Sequence, residues 1–87
     1  MFIVYAVYNS KHDKIYIGQT IDLNERIKLH NDHYFTQSYT SRFDGEWRLI
    51  YSEQVVNRSQ ALIREKQLKS FEGREFIRKY ISPVAQR

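Results

Sequence analysis

The run "FIVYAVYNSKHDKIYIGQT", Phe2 to Thr20, decides how the rest of the chain is read. Two stretches rich in Val, Ile and Tyr, residues 2–9 and 14–20, flank the polar "NSKHDK". β-Branched and aromatic side chains suit a pleated, half-buried surface, and a polar break between two such runs reads as a β-hairpin. Alternation places Phe2, Val4, Ala6 and Tyr8 on one face and Ile3, Tyr5 and Val7 on the other. In the second strand Ile15 and Ile17 oppose Tyr16 and Gly18. A connecting loop with an even number of residues sets Tyr5 on the face of Tyr16 and Gly18; an odd loop aligns Tyr8 with Tyr16 instead.

Beyond the hairpin, Asp22 followed by Glu25 has the spacing of a capping box and opens a helix through about Asn31. Residues 32–45 read as a loop, and "EWRLIYSEQV" as a third strand. Asn57 or Ser59 caps a helix over about 60–70, and Gly73 interrupts the chain before a last helix at about 74–81. The order β-β-α-β-α-α predicts an α/β (α+β) domain with a small, mainly antiparallel three-stranded sheet flanked by helices. We expect one domain over residues 1–87, with its core at about 2–81 and a tail at 82–87.

At 87 residues the chain has room for one modest core. It contains no Cys, so disulfides and thiolate metal sites are excluded. The apolar opening is too short for a signal-peptide core, and no segment approaches the ~20 apolar residues of a membrane span. A cytoplasmic protein without membrane contact is the expectation. Lys and Arg outnumber Asp and Glu by 14 to 10, for a formal charge of +4 and a pI of about 9.5. That balance suits a polyanion such as nucleic acid, and exposed aromatics among the seven Tyr, five Phe and one Trp would stack on bases.

Several polar residues fall where apolar ones belong. In the first helix Leu23, Ile27 and His30 form the inward stripe, and Arg26 shares it. The ordinary reading is an Arg snorkelling into solvent and a hydrogen-bonded helix-face His. In the later helix Ala61, Leu62 and Leu68 form the apolar stripe, with Glu65 on the same line. A carboxylate facing a sheet must be exposed in a groove, paired with Arg26 or a nearby Lys, or bound to a cation. Arg64, Lys66 and Lys69 read as a solvated basic face. Two phenols, a guanidinium, an imidazole and one carboxylate on one sheet face suit phosphodiester hydrolysis. A single carboxylate plus phosphate oxygens makes a reasonable Mg²⁺ site, and Arg grips phosphate bidentately. A phenol relays a proton if a cation and an Arg lower its pKa from near 10.

"YIG" at Tyr16–Gly18, with Tyr5 eleven residues earlier, resembles the paired signature of the GIY-YIG nuclease superfamily. Ile3–Val4–Tyr5 stands where that superfamily has its GIY triplet, and keeps only the Tyr. "TIDLNERIKLHN" is similar to its first helix, with Arg26 ten residues beyond Tyr16 and His30 four further on. "SYTSRF", "EWRLIYSE" and "SQALIREKQLKSF" are similar to segments of small stand-alone members, the last to the helix with the metal-binding Glu. The resemblance spans about residues 2–81.

It implies an endonuclease that hydrolyses phosphodiester bonds in DNA, in repair, recombination or processing, with one divalent cation, Mg²⁺ or in its place Mn²⁺, and no small-molecule cofactor. Glu65 would hold the metal, Arg26 the scissile phosphate, and Tyr5 would be the favoured general base with Tyr16 assisting. His30 would be a secondary proton-transfer partner, and Gly18 would leave space beside the phosphate. Substrate choice would rest on residues 32–45 and on Arg42, Lys66 and Lys69, a small footprint that a homodimer would enlarge. Many larger members carry a late Asn that supports the site, and no Asn follows Glu65 here. The rival reading is a module on the same fold that binds nucleic acid or protein with little turnover.

Overall fold

A computed structural model of the chain describes residues 1–31 and 42–81. Most of the loop expected at 32–45, and the tail at 82–87, lie outside the described residues. The elements follow the expected order: β1 (Phe2–Asn9), β2 (Lys14–Thr20), α1 (Leu23–Asn31), β3 (Trp47–Val55), α2 (Arg58–Lys69) and α3 (Phe71–Arg78). They form an α+β fold around one antiparallel sheet of order β2-β1-β3.

The hairpin loop, Ser10 to Asp13, has an even number of residues, and this settles the faces. Tyr5 pairs with Gly18 and Val7 with Tyr16, so Tyr5, Tyr16 and Gly18 share a side. Asp13 closes the loop at φ 53°, a left-handed conformation that Asp tolerates. Its carboxylate accepts a 2.8 Å hydrogen bond from the Tyr8 hydroxyl, so Tyr8 is a buried structural phenol. Asn9 is fully buried, accepting from the His12 backbone N–H and donating to the Asp44 carbonyl.

Each sheet face has its own core. Val4, Ala6 and Ile17 pack under α2 and α3 with Ala61, Leu68 and Ile77. Tyr5, Val7 and Trp47 pack on the other face, where Leu23 and Ile27 of α1 cover them. Strand β3 serves both cores because its register slips between Ala6 and Val7: Ala6 faces Tyr51, while Val7 faces Leu49. The extra residue, Ile50, lets it and Tyr51 both pack against the α2/α3 core, while Trp47 joins the core under α1. The Asn31 side chain ties the end of α1 to this strand, accepting from the Trp47 N–H at 2.7 Å and donating to its carbonyl at 3.1 Å.

The helix ends differ from expectation in two places. Asp22 accepts from the Glu25 N–H, but its own N–H donates to Thr20 Oγ1, so only half of the capping box forms. At the other end, Gly73 does not separate the last two helices. Ser70 does: its hydroxyl donates to the Gln67 carbonyl and accepts from the Gly73 N–H, ending α2 and capping α3. Gly73 lies inside α3 because a Cβ there would sit 2.2 Å from the Gln67 carbonyl oxygen and 2.5 Å from Leu68 Cα. Asn57, rather than Ser59, caps α2 by accepting from the Gln60 N–H.

Among the described residues, no helix is long and apolar enough to cross a membrane.

Candidate active site

Alternation along β1 and β2, and the helical period of α1, bring three rings together. The Tyr5 hydroxyl and His30 Nε2 are 2.8 Å apart in a buried hydrogen bond. The Tyr16 ring centroid lies 5.1 Å from that of His30 and 6.3 Å from that of Tyr5. Gly18 makes the room for this cluster. A Cβ at Gly18 would stand 2.7 Å from the Tyr5 hydroxyl and 2.9 Å from the Tyr16 ring. Its missing side chain therefore accommodates the two phenols, and it is buried beneath them.

Burial sets the electrostatics. Tyr5 is 1% exposed, and desolvation, reinforced by Tyr16 and by the charge of Glu65, raises its pKa well above that of a free phenol. Arg26 pulls the other way and loses. Without a metal cation beside it, Tyr5 is thus a neutral phenol whose pKa is raised and not lowered. His30 is pushed down to about 4 by burial and then by the Arg26 charge, so its imidazole is neutral at pH 7. Two neutral partners meet in the interior, and each has a hydrogen bond that removes the penalty of burying it. The histidine expected to be hydrogen-bonded on the helix face is so bonded.

Glu65 arrives from elsewhere. Ala61 and Leu68, on the same helix, pack against the face of the sheet opposite Tyr5. The convergence of all candidate groups on one sheet face is therefore corrected: α1 and α2 cover opposite faces, and the site wraps around the β2 edge. Leu62, expected on the inward stripe, is 48% exposed, because the contact face of α2 is centred on Ala61 and Leu68, with Arg64 and Glu65 partly buried between them. Glu65 is partly buried, and its charge bears on Tyr5. Its carboxylate accepts a 2.8 Å hydrogen bond from Lys69 Nζ, one helical turn on. The lysine partner, and not Arg26, is the one realised.

The remaining basic candidates separate. Lys69 lines a hollow of about 290 Å³ with Tyr16 and Arg74, so it stands beside that phenol. Arg26 lines a hollow of about 380 Å³ with Gln19, Thr20 and Arg58. Lys66 belongs to a different depression between α2 and α3. Arg42 is exposed next to Phe43, whose ring contacts His12 near the hairpin turn. Arg64, read as solvated, instead donates to Glu53 at 2.9 Å and rests over the Phe76 ring. Arg58 and Arg74 were not singled out in the sequence. Nothing in helical periodicity distinguishes them from ordinary surface cations, and only the hollows they line reveal them.

Among the described residues, no three His, Cys, Asp or Glu side chains gather as a metal cage. What the arrangement offers is a guanidinium at Arg26, one carboxylate at Glu65, and a phenol–phenol–imidazole cluster whose Tyr5 feels both charges.

The chain matches the family model of the GIY-YIG catalytic domain over residues 1–80. No curated protein and no solved structure matches it.

Proposed function

The chain belongs to the GIY-YIG family, whose members are nucleases, and on that premise we propose that it is a divalent-cation-dependent endonuclease cutting phosphodiester bonds in DNA at the edge of β2. The observation that carries this reading is the cluster of Tyr5, Tyr16 and His30 over Gly18, with the charges of Arg26 and Glu65 both bearing on Tyr5.

In this reading Arg26 binds the scissile phosphate and offsets the charge that grows on it in the transition state. Glu65 would hold the cation. A single carboxylate fits Mg²⁺, or Mn²⁺ in its place, since Mg²⁺ keeps several waters and takes further oxygens from a substrate phosphate. When bound, the cation supplies Lewis-acid stabilisation of the phosphate oxygens. Lys69 must yield its hydrogen bond to Glu65 for that, and its ammonium is then available to a neighbouring phosphate.

The raised pKa of Tyr5 argues against a phenolate waiting in the free protein. Tyr5 works instead as a relay: its hydroxyl passes a proton to His30 Nε2 as it accepts one from the attacking water, so no free phenolate forms. Burial keeps His30 neutral and able to accept, but also makes it a weak base, so it holds the proton only while negative charge grows on the nearby phosphate. Tyr16, less buried than Tyr5, orients the water and the phosphate from the solvent side. Gly18 leaves the room that both phenols occupy, and Lys66 and Arg42 add long-range attraction for the polyanion. A repair or processing task, and a homodimer that widens the footprint, fit this chemistry.

A cleavage assay with Mg²⁺ or Mn²⁺ on plasmid, flap and four-way-junction DNA, with Glu65→Ala in parallel, tests the reading. Cutting by the wild type alone is the expected result; equal cutting by both, or none, sinks it. The Glu65–Lys69 pair favours a second reading, a binding module whose carboxylate is already neutralised. DNA binding without any metal-dependent cut would select that one.

A further inference from the structure

Among the described residues strand β2 pairs with β1 alone, so no further strand lies on its other edge. Three hollows follow one another along it. The first, beside Gln19 and Thr20, holds Arg26 and Arg58. The second, beside Ile15, Tyr16 and Ile17, holds Lys69 and Arg74. The third, of about 280 Å³, shares Ile15 and Arg74 with the second and adds Lys14, Arg78 and Phe71. Seven strand residues span about 20 Å, so cations border an edge several nucleotides long. Two carboxylates border the third hollow: Asp13, which accepts from both Tyr8 and Arg78, and Glu75. The cations outnumber them.

Phe71 gives this border a second chemistry. It is the first residue of α3 and keeps 80% of its surface exposed. An isolated exposed apolar side chain is ordinary. This one is an aromatic ring on the wall of a hollow where Lys14, Arg74 and Arg78 outnumber the carboxylates of Asp13 and Glu75. Aromatic rings among cations are what single-stranded nucleic acid uses, the cations following the phosphates and the rings stacking on bases. A base held in a duplex has no free face to offer, so the platform selects unpaired nucleotides.

We propose that the β2 edge is a track for single-stranded DNA leading from the cleavage site, on which Phe71 stacks one unpaired base while Lys14, Lys69 and Arg74 follow the backbone. The substrate class is thus DNA with an unpaired segment next to the cut, such as a flap or a frayed end. The proposal rests on the reading of the Tyr16 region as the cleavage site, but its test measures binding without metal.

The experiment is fluorescence anisotropy of labelled duplexes, blunt or with a single-stranded tail, titrated with the full chain in EDTA at low salt. The wild type should prefer the tailed duplex, and Phe71→Ala should lose roughly 5- to 100-fold on it while leaving the blunt duplex unchanged. Phe71→Trp should restore the preference, and its exposed indole should be quenched by the tail, against a buried Trp47. Arg74→Ala should lower the salt slope by about 0.7 on the tailed probe. Equal binding of tailed DNA by Phe71→Ala and wild type, or an equal loss on both probes, overturns the proposal. So does a stable dimer in sedimentation that covers Phe71. Tail-specific binding through Phe71 in a protein that cuts nothing would support the track and reject the nuclease reading.

Discussion

Tyr5 and His30, 25 residues apart in the chain, are joined by a 2.8 Å hydrogen bond in an interior where both side chains are almost wholly buried. The bond links β1 to α1 and couples the protonation of one group to the other. Its consequence for stability can be worked out in sign. The folded pKa of His30, about 4, lies below its ordinary 6.5. Above pH 6.5 the imidazole is neutral folded or unfolded, and its contribution is fully present. As pH falls from 6.5 to about 4, the unfolded chain takes up a proton that the folded one refuses. Stability should drop by up to about 3 kcal/mol across that window, with no further loss from this group below it. Melting temperatures of wild type and His30→Gln from pH 7 to 4 check this: the wild type should fall more steeply, and parallel curves would exclude His30 as the cause.

The two phenols should separate in mutagenesis. Tyr5→Phe keeps the ring that packs with Val7 and Trp47 but leaves His30 Nε2 without its partner, at a cost of roughly 1–3 kcal/mol. Tyr16→Phe, at a less buried phenol, should cost less stability than Tyr5→Phe. Both should slow metal-dependent cleavage by on the order of 10²- to 10⁴-fold if they move or steer protons. Full activity in Tyr16→Phe would show that its hydroxyl does not meet the substrate.

Gly18→Ala tests the room beneath the cluster. The added methyl would sit 2.7 Å from the Tyr5 hydroxyl, so the phenol must shift off His30 or the strand must move. We expect a loss of about 1–3 kcal/mol and a larger fall in cleavage than Tyr16→Phe produces. A crystal structure of the variant with Tyr5 unmoved would contradict this account.

Lys69 competes with a cation for Glu65. Lys69→Met keeps the aliphatic stem and removes the ammonium, so less Mg²⁺ should be needed to raise the melting temperature. Glu65→Gln should abolish the Mg²⁺ response. The titration is read by thermal unfolding against metal concentration, and an unchanged midpoint in Lys69→Met would mean that Lys69 does not guard the carboxylate.

Gly73→Ala should destabilise the fold by roughly 2–3 kcal/mol, although glycine is a poor helix residue. The new Cβ would collide with backbone of α2, which cannot swing aside as a side chain can. Urea unfolding measures it, and a more stable variant would refute the close approach of the two helices.

Much of this protein is written in local patterns. The Val, Ile and Tyr runs around a polar break specify β1 and β2, because pleat and alternation act between neighbours in the chain. The GIY-YIG likeness followed from the spacing of Tyr5, Tyr16, Arg26, His30 and Glu65, and the family match over residues 1–80 bears that likeness out. Other features depend on contacts between elements, and these no local pattern encodes. Helical period marks Glu65 as facing inward, but not which side of the sheet its helix covers; packing of Ala61 and Leu68 decides that. Gly73 reads as a helix breaker until the crossing of α2 and α3 makes it the one residue that fits. Alternation left Tyr5 or Tyr8 to share a face with Tyr16 until the even hairpin loop chose Tyr5, and only the closure of α1 and Trp47 over that face makes Tyr5 a buried, neutral phenol. Solvent exclusion is a property of the assembled core, so the charge state of the site was decided there.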